Sequence, residues 1–369
     1  MIDRRTFLTG SLTLGASATG LPLTRAFAAS RAPTSLRQKV EQLFIISFAG
    51  KTAGSTILSL LENHAFGGVI LYERNCGSAS QIRTLLSELQ ATSRYPLLVC
   101  ADQEGGKVVR IHHGAPVFPY EAVYGQQGST TRVYADATAT ARALKSLGLS
   151  MDLAPVVDVL SNPTSPIGQR SYGPHPQLDA NLAVAAIQGY QQHGLAATAK
   201  HFIGLGHTSI DSHAALPTVR LSLNQLEKND LIPFRAAIRA GVSSILVAHV
   251  ALPKIDPVFR PASLSPTIMQ GVIRGRLKFK GVLMTDSLIM GALPKGQEPQ
   301  AAAEAFAAGA DVLLLAGNVN ISSAVFEEAI DRVMALVTSG KVPESRVDGS
   351  LGRVLALKQR YPSVRISLR

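Results

Sequence analysis

LAATAKHFIGLGHTSIDSH (195–213) is the stretch on which the fold of this chain turns. Its first five residues form a run without charge, of the kind a buried strand needs. Lys200 and His201 follow at once, then Gly204 and Gly206, then Asp211 and His213. A strand that ends in charged groups and passes into a glycine-punctuated loop suits the carboxyl end of a parallel β/α sheet or barrel, where ligands bind.

Outward from this stretch the same pattern recurs. Apolar runs lie at QLFIISF (42–48), GGVILYE (67–73), PLLVCA (96–101), LSMDLAP (149–155), SSILVAHV (243–250), KGVLMTD (280–286) and DVLLLAG (311–317). Helical patterns fall between and after them, at 79–92, 131–147, 179–193, 224–240, 299–309 and 321–339. Near-continuous apolar strands alternating with helices indicate a parallel sheet covered on both faces. Counting 195–201, the strands make eight units, which predicts an α/β fold, a (β/α)8 TIM barrel in a single domain over 29–369. A doubly wound sheet is the competing fold, but its glycine-rich phosphate turn is absent after the first strand. Residues 340–369 read as a short helix and a basic tail.

The N-terminus reads differently. Arg4-Arg5-Thr6-Phe7-Leu8 precedes a weakly apolar segment rich in Gly, Ala, Ser and Thr, and Ala26-Phe27-Ala28 closes it as an A-x-A cleavage signature. Residues 1–28 are therefore expected to be an export signal of the twin-arginine type, directing the chain to the periplasm or beyond. No later run reaches the roughly 18 apolar residues of a membrane span, so no stable insertion is expected after processing. The net charge of +11 is scattered rather than clustered, and only 5% of residues are aromatic, with no Trp. That combination argues against a nucleic-acid platform. Cys76 and Cys100 form no disulfide framework and no metal-ligand spacing.

Polar groups gather at the strand ends. They include Asp102-Gln103-Glu104-Gly105-Gly106 after the third strand, Gly168-Gln169-Arg170 in the loop after the fourth, His249 after the sixth and Asp286-Ser287 after the seventh. A carboxylate on a rigid strand end suits a nucleophile, and a His on a loop with an Asp two residues away suits a general acid/base. Plainer readings stand beside these. Asp286 can be a helix cap before Ser287–Met290, and Lys200 with His201 can be a buried ion-pair partner and a core histidine. His112 and His113 read as loop residues. His201, His207 and His213, with Asp211, could hold zinc, but their spacing matches no common zinc pattern.

Together, GGVILYERN (67–75), DQEGGKVVR (102–110), DLAPVVDV (152–159), IGQRSYG (167–173), KHFIGLGHTSIDSH (200–213) and GVLMTDSLIMGAL (281–293) resemble family 3 glycoside hydrolases, in particular their bacterial β-N-acetylglucosaminidase (β-hexosaminidase) branch. The resemblance implies that Asp286 is the nucleophile that forms a glycosyl-enzyme. It implies that His213, supported by Asp211, is the acid/base where most retaining glycosidases use a second carboxylate. It implies that Asp102, Arg110, Arg170, Lys200 and His201 grip the sugar, with no cofactor and no metal. Ile203 stands where the family usually has Pro, a change that frees φ at the loop's takeoff. The export signal is a second departure, since one-domain relatives are generally cytoplasmic.

The expected activity is that of a retaining exo-β-N-acetylglucosaminidase, acting as a monomer on N-acetylglucosamine-containing glycans: cell-wall muropeptide fragments or chitooligosaccharides. The alternatives are a β-glucosidase or β-xylosidase, a phosphorylase of the same family, and a non-catalytic sugar-binding protein. The Asp-Ser-His segment argues against the glucosidase, whose branch draws its acid/base Glu from elsewhere.

Overall fold

Each of the eight apolar runs contributes one strand to a single parallel sheet. In the computed structural model, which describes residues 33–363, these strands are β1 (Phe44–Ile46), β2 (Gly68–Leu71), β3 (Leu98–Ala101), β4 (Met151–Asp152), β5 (Ala196–Phe202), β6 (Ser244–Val247), β7 (Val282–Thr285) and β8 (Leu313–Leu315). They pair in sequence order from β1 to β7, and β8 returns to lie beside β1. A lone parallel bridge, Met284↔Val312, links β7 to β8 and brings the sheet close to a closed ring. Every residue of the eight strands is buried, which is why they read as continuous apolar runs rather than alternating ones. The fold is the expected (β/α)8 TIM barrel. The export signal expected over 1–28 lies outside the described residues.

Helices cover the outer face, and several begin at side-chain caps. Ser78 and Ser129 accept from the backbone N–H groups of Gln81 and Arg132 and start helices Ala79–Thr92 and Thr130–Leu147. Gly148 ends the second of these in the left-handed conformation. The helix expected over 224–240 is two, Leu223–Glu227 and Leu231–Arg239. The break frees Asn229 to donate to Ser161 Oγ at 2.9 Å and Asp230 to meet His207 Nε2 at 2.9 Å, so these helices tie down the loop after β5. Pro233 fits in the first turn of the second helix, where a missing N–H costs nothing.

One further expectation needs correction. The C-terminal helix is not short: it runs Glu344–Arg360. Its polar residues are used inward, because Ser350 and Arg353 bond the buried Asp311 carboxylate at 2.6 and 2.8 Å just ahead of β8. After β3, Gln103–Gly105 pairs antiparallel with Val108–Val109 in a hairpin. Gly105 and Gly106 turn this hairpin at φ 121° and 55°, where a side chain would be strained. Among the described residues, no helix is long and apolar enough to cross a membrane.

Candidate active site

The carboxyl ends of the strands surround a cavity of about 370 Å³, at the face where barrel enzymes work. Asp102, Arg110, Arg170, Lys200, His201, His213 and Asp286 all line it. Asp211 stands behind His213. Residues from the ends of β3, β5 and β7 and from the loop after β4 thus converge as the pattern of strand ends predicted.

The floor is a buried charge network. The Lys200 ammonium lies 2.7 Å from Asp102 Oδ1 and 2.6 Å from Glu104 Oε1. Arg170 grips both oxygens of Glu104, each at 2.7 Å. Burial would push the Glu104 carboxyl upward, but Arg170 and Lys200 outweigh it and hold its pKa well below the ordinary value. Asp102 follows the same logic: burial opposes, Lys200 and then Arg110 prevail, and the pKa falls. Lys200 is raised despite burial, because Asp102 and Glu104 face it. Lys200 is a buried ion-pair partner, the plainer of its two readings, and it lines the pocket. Glu104 stood among the strand-end groups but was given no role, because its partners Arg170 and Lys200 lie far along the chain.

His201 is oriented by Asp158, whose Oδ2 takes the ring Nδ1–H at 2.8 Å and the His201 backbone N–H at 3.0 Å. That leaves Nε2 to accept from Arg170, 3.3 Å away. Arg110 reaches Glu73 at 3.3 Å and Asp102 at 3.6 Å, above the Tyr72 ring. Four carboxylates line the pocket. Glu73, Asp102 and Glu104 each face a cation, whereas Asp286 has no ion pair among the described residues. Asp286 Oδ1 accepts only the neighbouring Ser287 N–H, at 2.8 Å. It caps no helix, because the next one begins at Glu298.

His213 and Asp211 form a local pair, with Asp211 Oδ1 accepting from the ring Nδ1 at 2.8 Å and from the His213 N–H at 2.9 Å. Partial burial would raise the Asp211 carboxyl, but these two bonds hold it below its usual range. The His213 side chain is 70% exposed. Its backbone is stitched to the segment after Asp286, by Gly291 N–H to His213 O at 3.2 Å and Ala292 N–H to Ser212 O at 3.0 Å. A Cβ on Gly291 would stand 2.4 Å from His213 O, so only glycine permits this approach. The other end of the loop is fixed where Ser161 and Asn162 donate to Gly206 O. Ile203, the departure from the family's Pro, is buried at the loop's start. His201, His207 and His213 face Asp158, Asp230 and Asp211 respectively, so they do not converge on one point.

Comparison with known proteins agrees with this geometry. The family model described as glycosyl hydrolase family 3 N terminal domain matches residues 35–357. A beta-hexosaminidase of Stenotrophomonas maltophilia (strain R551-3) is 32% identical, over 84% of this chain and 91% of that protein. Beta-hexosaminidase A of Pseudoalteromonas piscicida is 31% identical over 84% of this chain, which spans only 56% of its length. Among solved structures, a glycoside hydrolase family 3 beta-N-acetylglucosaminidase from Paenibacillus sp. str. FPU-7 superposes with a TM-score of 0.87 at 38% identity, covering 91% of this chain and 65% of that one. A beta-N-acetylhexosaminidase from Beutenbergia cavernae DSM 12333 gives 0.81 at 28% identity, covering 89% of this chain and 100% of that one.

Proposed function

The chain belongs to glycosyl hydrolase family 3, and within that family we propose that it is a retaining exo-β-N-acetylglucosaminidase working through a covalent glycosyl-Asp286 intermediate. The observation that carries this reading is the charge census of the pocket. Asp102, Glu104 and Glu73 have their charge taken up by Lys200, Arg170 and Arg110, and Asp286 alone keeps lone pairs free for attack on carbon.

In the first step, an Asp286 oxygen forms a bond to C1 of the terminal sugar. The bond from C1 to the leaving oxygen breaks, and that oxygen takes the proton from His213 Nε2. Asp211 keeps the other ring nitrogen in its N–H form and stabilises the imidazolium before transfer. In the second step, His213 Nε2 removes a proton from water, whose oxygen bonds to C1 as the Asp286 ester breaks. Two displacements return the β configuration. An imidazole is the side chain suited to donate and then accept a proton near neutrality. Lys200, Arg170 and Asp102, with His201 and Arg110, hold the sugar's hydroxyls and its N-acetyl group.

The natural substrates in this reading are muropeptide fragments of the cell wall or chitooligosaccharides, met outside the cytoplasm because of the signal at 1–28. The test is hydrolysis of p-nitrophenyl β-N-acetylglucosaminide against the corresponding glucoside, with Asp286→Ala as control. Preference for the N-acetyl substrate and loss of turnover in the variant are expected. Wild-type-like activity in Asp286→Ala would sink the mechanism. Running the assay with and without phosphate separates hydrolysis from phosphorolysis, which an imidazole acid/base tolerates better than a carboxylate.

A further inference from the structure

We propose that His249 is a positioning residue for the nucleophile: its ring Nε2–H holds the Asp286–Ser287 turn in place by a hydrogen bond to the Ser287 carbonyl. The inference rests on the assignment of Asp286 as the nucleophile.

His249 lies two residues beyond β6, fully buried. Its Nε2 is 2.9 Å from Ser287 O and its Nδ1 is 2.5 Å from Ser263 Oγ. A carbonyl oxygen can only accept, so Nε2 carries the hydrogen. Nδ1 is then a bare acceptor and takes the Ser263 hydroxyl proton. Ser263 is itself tied back to the same strand end by its N–H to Ala248 O, at 3.2 Å. Each polar atom of this buried pair thus has a defined job, which fixes one tautomer and one ring orientation.

The turn that carries Asp286 is held from both neighbouring strands. On the β6 side, Asp286 N–H donates to Val247 O at 3.0 Å. On the β8 side, Leu288 N–H donates to Leu314 O at 2.9 Å and the Ser287 hydroxyl donates to Ala316 O. The Ser287 carbonyl accepts from Met290 N–H at 3.1 Å within its own turn, and His249 supplies the bond that reaches it from outside. Without that tie, the Ser287 carbonyl is held only from within its own turn, and the Asp286 side chain beside it is aimed less tightly. Burial lowers the pKa of His249 even though Asp286 draws it upward. A neutral ring suits the task. An imidazolium there would pull on the Asp286 charge that the first step needs free.

Two substitutions in the full chain separate positioning from bulk structure. In His249→Gln the side-chain amide reaches about as far as Nε2 and can still donate to Ser287 O. In His249→Asn it reaches only as far as Nδ1 and loses that bond. On p-nitrophenyl β-N-acetylglucosaminide, His249→Asn is expected to lose about 100-fold in kcat with KM within about 2-fold, the scale of a misplaced reacting group. His249→Gln is expected to return kcat to within about 5-fold of wild type, with the pH profile unshifted, because a ring that stays neutral contributes no limb to it. Equal kcat in both variants, at the wild-type or a reduced level, would overturn the proposal. So would the disappearance of a pH limb in His249→Gln. Asp286→Ala is assayed alongside, and activity retained there would remove the nucleophile assignment and this inference with it.

Discussion

At the scale of single residues, the pocket's charged groups divide into those tied in ion pairs and those left free for the proposed chemistry. His213→Ala should lower kcat about 100- to 10,000-fold, the usual worth of a general acid/base. Added azide should restore turnover by attacking the glycosyl-enzyme, yielding β-glycosyl azide, which product analysis would detect. Glu104 belongs to the ion-paired group, and Glu104→Gln should cost about 3–5 kcal/mol at neutral pH, the usual loss when one partner of a buried ion pair is removed. The sign of its pH dependence follows from its lowered pKa. The stabilisation is complete above the unfolded value of 4.5 and drains away as pH falls toward the folded value. Denaturant midpoints of wild type and Glu104→Gln should therefore converge on acidification. A constant gap would contradict the assignment. Asp286, His213 and Asp211 were legible in the sequence as candidates because each sits at a strand end or in a distinctive local pair. Glu104, Asp158 and the bonding of His249 were not, because their partners come from segments remote in the chain.

At the scale of elements, the loop between β5 and His213 is held at both ends by glycines in close contact with backbone. Gly206 lies against Val159 O and Gly291 against His213 O. Gly291→Ala must push His213 away from the segment that carries Asp286. Kinetics on the aryl substrate should show kcat/KM falling about 100-fold. Unchanged kinetics in a folded variant would mean that the His213 loop is not positioned from this side. All eight strands were legible as apolar runs, since a strand buried on both faces has no polar alternation to blur it. The helical segment Thr267–Arg276 was not, as Gly271 and Gly275 dilute its pattern. The break at Asn229–Asp230 was equally hidden, because it serves the tertiary bonds of those two side chains.

At the scale of the whole molecule, the barrel separates chemistry at its carboxyl ends from stability at the other end. Asp311, fully buried ahead of β8, gathers Arg274 at 2.5 Å and Arg353 at 2.8 Å, with Arg346 at 3.6 Å. Asp311→Ala should lower the thermal midpoint sharply, through a loss of about 3–5 kcal/mol, yet leave kcat of the folded protein near wild type. Lys358, buried with Gln42 Oε1 at 2.6 Å as its hydrogen-bond partner, is lowered by burial to a pKa of about 7. Between that value and the ordinary 10.5 the unfolded chain binds the extra proton, so stability rises with pH across this window. Urea titrations should show Lys358→Met losing that rise, whose slope is at most about 1.4 kcal/mol per pH unit. The length of the C-terminal helix escaped the sequence because its inward-facing Arg346, Ser350, Arg353 and Lys358 read as a solvated basic tail.

The most direct test of the central claim is the anomeric form of the sugar first released. Proton NMR during hydrolysis of p-nitrophenyl β-N-acetylglucosaminide should show β-N-acetylglucosamine appearing first, then relaxing toward the α/β equilibrium, as two displacements through Asp286 require. Appearance of the α anomer first would mean that water attacks C1 directly, and would contradict the glycosyl-Asp286 intermediate.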